Sequence, residues 1–457
     1  MNPRVIAQAV ALTLAASQVG IAHGASNDEI AEIRSQLQTL IQRMDQLEQE
    51  NVQLKTENDN LKSQTDYLKS ETKGLRKDAA NTAVDVSKVK GADWAGKVAF
   101  TGDFRYRYEM ISDDTLNASG VQNTADRYRD RIRARINTTV KATDTITLGF
   151  GFATTEGGDP RSSNQTLSGT FSRKSLDLDT AYFDWKFANW GDLIGGKMKQ
   201  PFFKPGQSLF WDGDINPEGV AIALNDGMWF GSAYYYWLSE VSGAESTTTS
   251  DTMLYGAQLG VKLPLGSSSL TLAAHYYDLG SGQYRSPFYV APGATLGAGN
   301  ANGNTTCTVD LCGAAAPTLA FDYNVANVSA QFDTMLGALP FQAWADYAQN
   351  TDPDDLDTAW AAGILLGKAS NRRTWEVGAF YQALEKDALF GQLVDSDFAG
   401  GVTDAEGWVV KAGYVPVKNW TLNATYLLNK RNMDVPNSVG AVDVDYDRLQ
   451  VDFNVKF

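Results

Sequence analysis

The sequence predicts an all-β transmembrane barrel of about 16 antiparallel strands, up-and-down in order, preceded by an α-helical coiled coil. Three observations predict it. Apolar and polar residues alternate with period two in about sixteen segments after Lys97. The connections between these segments alternate between tight turns and long polar loops, as in a meander whose two ends face different media. A heptad repeat precedes them all.

The first 24 residues predict a secretory signal peptide. Arg4 supplies the positive start, the apolar stretch from Val5 to Val19 is too short to span a bilayer, and Ala22 and Gly24 are the small residues of a cleavage site. Residues 25–90 form the coiled-coil oligomerisation segment. With Ile30 at position a, the d positions are Ile33, Leu40, Leu47, Leu54, Leu61, Leu68, Leu75, Thr82 and Val89, the first seven apolar in sequence. Arg43/Glu48, Glu50/Lys55, Glu57/Lys62 and Glu71/Arg76 are opposite-sign g-to-e pairs that fit parallel chains in register. Fully helical, this rod reaches about 90 Å. Asn51 and Asn58 at a fix register and leave the number of chains open. A DNA-binding zipper is excluded by the signal peptide and by the lack of a basic segment before the repeat.

Residues 91–457 are the barrel. Strand-like segments begin near Lys97, Arg127, Thr145, Thr180, Asp192, Gly219, Met228, Met253, Ser269, Asp322, Pro340, Thr358, Thr374, Gly407, Asn419 and Asp445; those near Asp192 and Gly219 are weak. Short turns such as "ATDT" (142–145), "NDG" (225–227) and "VPVKN" (415–419) alternate with long polar loops, among them 156–174, 200–217, 280–318 and 385–404. Trp94, Trp190, Trp229, Trp375 and Trp420 all fall near the short-turn end, as aromatic rings do at a membrane interface. The chain stops on "LQVDFNVKF", a strand with no polar tail, which closure explains: the last strand pairs with the first. The net charge of −15, most of it after residue 90, argues against nucleic acid as partner, and two histidines give little material for acid–base or metal chemistry.

A final Phe457 after alternating apolar residues resembles the C-terminal signature of Gram-negative outer-membrane barrels. With the strand count and the signal peptide, the chain resembles the trimeric porins; the coiled coil narrows this to the putative-porin group and to sugar porins that carry such a rod. The resemblance implies a passive diffusion channel for small hydrophilic solutes or ions in the bacterial outer membrane, with lipid around the barrel, a homotrimer, and the coiled coil in the periplasm, where it could reach the cell wall. Such a channel is no enzyme and takes no cofactor.

The candidate pore chemistry begins with "RYRDRIRARI". Arg127, Arg129, Arg131, Arg133 and Arg135 share one face of a regular strand, ~6.6–6.8 Å between successive members, with Ile132, Ala134 and Ile136 on the other. Arg105 and Arg107 share the lumen parity on the first strand. The ladder is expected to tune selectivity; the plain alternative is pairing with neighbouring acids and with charges at the membrane surface. The segment "GGKMKQPFFKPGQSLFWDGDINPEG" resembles the porin loop that folds inward to narrow the channel, with Phe202, Phe203, Phe210 and Trp211 as anchors. Asp212, Asp214 and Glu218 would then face the arginines across the pore; an ordinary outer loop is the alternative. Cys307 and Cys312 are expected to form a disulfide, as exported cysteines do. "TDPDDLD" lacks the Gly and terminal Glu of a calcium loop, so no metal site is expected. Two other readings compete: a barrel-anchored tether to the cell wall, and an outer-membrane hydrolase, for which His275 has no evident nucleophile beside it.

Overall fold

The computed structural model describes residues 27–90, 95–115, 126–240, 251–280, 282–307, 317–436 and 440–457. The expected signal peptide, Trp94 and Cys312 lie outside them. The chain divides into two units, Met1–Ala95 and Gly96–Phe457.

Among its described residues the first unit holds one helix, α1, over Asn27–Lys90 (64 residues), about 96 Å long at 1.5 Å per residue. Leu40, Leu47, Leu54, Leu61 and Leu68, the d positions along its middle, are all exposed, as is Met44 at a. Heptad spacing puts them in one row, so the single chain carries an uncovered apolar seam. Among the described residues, no helix is long and apolar enough to cross a membrane.

The second unit is a closed barrel. Its strands are β1 Val98–Asp113, β2 Arg127–Lys141, β3 Ile146–Thr155, β4 Ser175–Ala188, β5 Gly191–Lys197, β6 Glu218–Asn225, β7 Trp229–Ser239, β8 Thr252–Leu265, β9 Ser268–Asp278, β10 Asn324–Leu336, β11 Leu339–Asn350, β12 Thr358–Gly367, β13 Trp375–Leu384, β14 Ala405–Val417, β15 Trp420–Arg431 and β16 Val444–Lys456. Each pairs antiparallel with the next, and β16 pairs with β1 from Asp103↔Lys456 to Asp113↔Tyr446. Every strand starts within five residues of the position expected from period two. The largest gap, at β4, has a physical cause. A bulge opposite Gly151/Phe152 flips the alternation, so the regular pattern resumes only after Asp179. The two weak segments are the shortest members of the wall, β5 and β6.

Turn chemistry fixes the short connections. Between β6 and β7, the Asp226 carboxylate accepts the backbone N–H of Met228 (3.0 Å) and Trp229 (2.7 Å). Gly227 beside it takes φ +98°, which a side chain would resist.

One face of each strand is apolar and exposed, the pattern of a wall in lipid. Trp190, Trp229 and Trp375 are exposed at the short-turn end. A second set, Trp237, Trp360 and Trp408 with Tyr235, Tyr255 and Tyr347, is exposed near the long-loop end. The barrel therefore has an aromatic belt at both interfaces, where the sequence pattern had pointed to one. The other face of the strands turns inward on an apolar cluster built with the long loops, including Phe202, Phe210, Trp211, Tyr277, Tyr323, Phe390 and Phe398.

Closure runs to the last residue. Phe457 N–H donates to the Gly102 carbonyl and Gly102 N–H to the Phe457 carbonyl, both at 3.0 Å. A Cβ on Gly102 would collide with the Phe457 ring and the Arg135 carbonyl. Gly102→Leu should therefore weaken the seam by ~1–3 kcal/mol. In refolding into detergent, followed by the gel-mobility difference between heated and unheated samples, the folded fraction should fall relative to Ala99→Leu; equal yields would show that the seam tolerates the side chain.

Candidate functional site: the charged lumen

The inward faces of β1, β2 and β16 carry most of the charge. Register puts like charges side by side, Arg105↔Arg133 and Arg107↔Arg131, an arrangement that repels. Carboxylates interleave and offset it. Asp103 receives Arg133 and Arg135, each at 2.7 Å. Glu109, fully buried, receives Arg129, with Arg131 at 3.9 Å and Arg448 at 3.7 Å. Asp452 takes Arg107 through two bonds of 2.7 and 2.9 Å, a fork-on-fork pair, and lies 3.9 Å from Arg105. Arg105 also donates to Asn164. The four arginines from Arg129 to Arg135 thus each have a carboxylate within reach.

The segment 198–217 leaves β5 and enters the barrel. Pro201 and Pro205 cannot continue a ladder, and Gly206 takes φ +50° against the Trp344 indole, where a Cβ would collide. Inward side chains of successive strands then hold it. The Gln258 amide exchanges bonds with Phe203 N–H (2.7 Å) and carbonyl (2.9 Å). Gln331 accepts Gly206 N–H at 2.8 Å, Asp346 accepts the Ser208 hydroxyl at 2.6 Å, and Gln382 accepts Leu209 N–H at 3.2 Å. The loop so crosses β8, β10, β11 and β13. Phe202 packs on Trp211, Tyr234 and His275, with ring centroids 4.8–5.6 Å apart. It then returns to β2, where Asp214 meets Arg135 at 3.3 Å and Arg133 at 4.0 Å and accepts the Ser163 N–H and hydroxyl.

Burial alone would raise the Asp214 pKa, but Arg133, Arg135 and Arg105 hold it below the ordinary carboxylate value. Asp212 behaves oppositely: burial, then the charges of Asp395 and Asp214, push it well above. Two acids two residues apart are therefore in different protonation regimes.

A second loop, 385–404, also lies inside. Leu389, Phe390, Leu393, Val394 and Phe398 are buried. Asp212 N–H donates to the Leu393 carbonyl at 2.7 Å and Asp395 N–H to the Leu209 carbonyl at 3.1 Å. Arg161 donates to the carbonyls of Gly391, Val394 and Gly401. This segment had read as an ordinary polar loop. The six buried apolar residues of "ALFGQLVDSDF", Ala388 included, were the available signal. Between the loops and the wall lies a cavity of about 340 Å³ lined by Arg105, Arg107, Arg133, Asp212, Asp214 and Asp397 among others.

Not every expected residue comes to this place. Arg127 is exposed at the start of β2. Glu218 is exposed as the first residue of β6, paired with Lys197 at 2.9 Å, and lines a different cavity. Asp214 touches the arginines directly rather than facing them across an open pore. Cys307 sits on a two-residue strand paired with Thr318–Leu319; its expected partner Cys312 is outside the described residues. His275 is buried on the lumen face, 2.8 Å from the Tyr234 hydroxyl. Among the described residues, no group of three or more His, Cys, Asp or Glu is placed to hold a metal.

The structure is similar to that of OprB from Pseudomonas putida at high pH, with 12% identity, 83% of this chain and 97% of that chain covered, and a TM-score of 0.51. OmpT of Vibrio cholerae in its trimer form (11% identity, 79% and 99% covered, TM-score 0.44) and a mutant of the Rh. blastica porin (11%, 78% and 99%, 0.44) match less well. No curated protein matches the sequence. A family model described as "Putative porin" matches residues 110–287 and 295–457, most of the barrel and well over half the chain. The chain belongs to that family, and it is an outer-membrane porin, a non-enzymatic channel.

Proposed function

We propose that small hydrophilic solutes or ions cross this barrel by passive diffusion through a constriction in which the basic wall of β1 and β2 meets the acidic loop 198–217, as a homotrimer joined by α1 in the periplasm. The observation that carries the constriction is the contact of Asp214 with Arg133 and Arg135 beside the interior cavity. Five basic and six acidic side chains line that cavity, so the wild-type channel is weakly selective and single charges tip it. The exposed leucine row of α1 supports the trimer: barrels share one polarity in a membrane, so their rods emerge side by side. The charged lattice speaks against a mere tether. The buried His275–Tyr234 pair speaks against a hydrolase.

An ion passing ~5 Å from a unit charge in water gains ~0.8 kcal/mol, about a fourfold change in permeability. Arg133→Gln with Arg105→Gln should shift the reversal potential across a salt gradient toward cations, and Asp214→Asn toward anions. Both shifts should shrink at 1 M salt, where the screening length is about 3 Å. Unchanged potentials in both variants would remove these residues from the permeation path.

Acid should act in two steps. Asp212 and Asp395 are both raised by burial first and neighbouring acids second, so with falling pH they lose charge above the ordinary carboxylate range, and anion permeability rises. Asp214 keeps its charge until below that range. Asp212→Asn should shrink the upper step in a reversal-potential titration and leave the lower one; a titration with only the ordinary carboxylate step would contradict this.

Deleting residues 26–90 should leave a barrel that inserts but whose oligomer dissociates at lower temperature. A deletion variant with wild-type oligomer stability in unheated gels would separate assembly from the rod.

A further inference from the structure

Arg448 on β16 was not among the expected pore residues, and its surroundings lead to a second constriction. Its guanidinium donates to the Asp397 carboxylate of loop 385–404 and to the Tyr446 hydroxyl (2.7 Å), and lies 3.7 Å from Glu109. The other Asp397 oxygen accepts Arg107 at 2.9 Å. One carboxylate, carried in by a loop, thus sits between two arginines of β1 and β16, the strands that close the barrel.

The loop is rigidly held there. Ser396 N–H donates to Asp212 at 2.9 Å, and the Ser396 hydroxyl to the Arg161 carbonyl at 3.0 Å. Asp395 accepts Asp397 N–H at 2.9 Å, fixing the turn that presents Asp397. The Asn304 amide donates to the Leu389 carbonyl at 2.8 Å and accepts Gly391 N–H at 2.7 Å, tying the base of the loop to the long β9–β10 connection. Against burial, Arg107 and Arg448 hold Asp397 well below the ordinary carboxylate value.

We propose that loop 385–404 is a second constriction element and that Asp397 is its selectivity-determining residue: its carboxylate cancels positive charge of Arg107 and Arg448 beside the cavity that also holds Asp214. The inference rests on the diffusion-channel reading above. It predicts that the anion preference latent in the arginine wall is suppressed from two loops, not one. Removing the carboxylate leaves the fold supported, because Arg107 keeps its two bonds to Asp452 and Arg448 keeps Glu109 and Tyr446.

The test is the reversal potential of the full-length protein in planar bilayers across a KCl gradient. Asp397→Asn should raise the anion-to-cation permeability ratio by about an order of magnitude, about fourfold from each ion, the effect of one unit charge near the path. Arg448→Gln should lower it, and the double variant should return close to wild type. Asp214→Asn is measured alongside. A shift with Asp214→Asn and none with Asp397→Asn would overturn the second constriction and leave the channel reading standing; no shift in either would overturn both. Should Asp397→Asn fail to insert, the other pair decides: Arg448→Gln must shift toward cations and the double variant must undo it, and a wild-type potential in Arg448→Gln overturns the proposal.

Discussion

The pairing of β1 with β16 is the constraint on which the other features depend. In hydrocarbon no water can satisfy a free strand edge, so a sheet in a membrane must close. Here closure uses the chain to its last residue: Phe457 pairs with Gly102, and the glycine leaves room for the ring. The same seam brings Asp452 and Arg448, from the end of the barrel sequence, against Arg107 and Glu109 near its start. The barrel's mechanical closure and its charge chemistry are thus one piece of structure.

That chemistry is a lattice, not a bare ladder. Directly opposed arginines would repel in a wall of low polarity, and the carboxylates among them serve two or three partners each: Asp103 for Arg133 and Arg135, Asp214 for the same two, Asp397 for Arg107 and Arg448, Glu109 for Arg129, Arg131 and Arg448. Buried ion pairs return little net stability over apolar residues of similar size, yet losing one partner of such a pair costs about 3–5 kcal/mol. A channel gains from this arrangement what a core would not, a fixed field in a wet lumen. The inward loops carry the counter-charges, and the apolar cluster of Phe202, Trp211, Tyr277, Phe390 and Phe398 holds the loops in place.

Local pattern made the fold legible. Period two located all sixteen strands because one face of each meets lipid, and it faltered where the physics changes: at the β4 bulge, and in the short strands β5 and β6. The lumen parity of Arg105, Arg107 and Arg129 to Arg135 was equally legible, since a regular strand leaves no choice of face. Their partners were not. Asp452 and Asp397 lie 345 and 290 residues from Arg107, and nothing local in the sequence announces a contact made only on closure. The inward course of 385–404 was hidden for a related reason. Loops have no period, and its apolar residues gain meaning only once Arg161, Asn304 and Leu209 are beside them. The second aromatic belt was missed because Trp237, Trp360 and Trp408 each lie at a strand end whose loop length varies.

In the proposed mechanism a narrow lumen with nearly balanced, fixed charges governs passage. The most direct test is the single-channel current of the full-length wild-type protein in planar bilayers, with its anion-to-cation permeability ratio measured from 0.01 to 1 M KCl. Discrete steps are expected, with a small departure of the ratio from the bulk value at low salt that vanishes as the screening length falls from about 30 to 3 Å. Steps with a ratio independent of salt, or no steps at all, would contradict the mechanism.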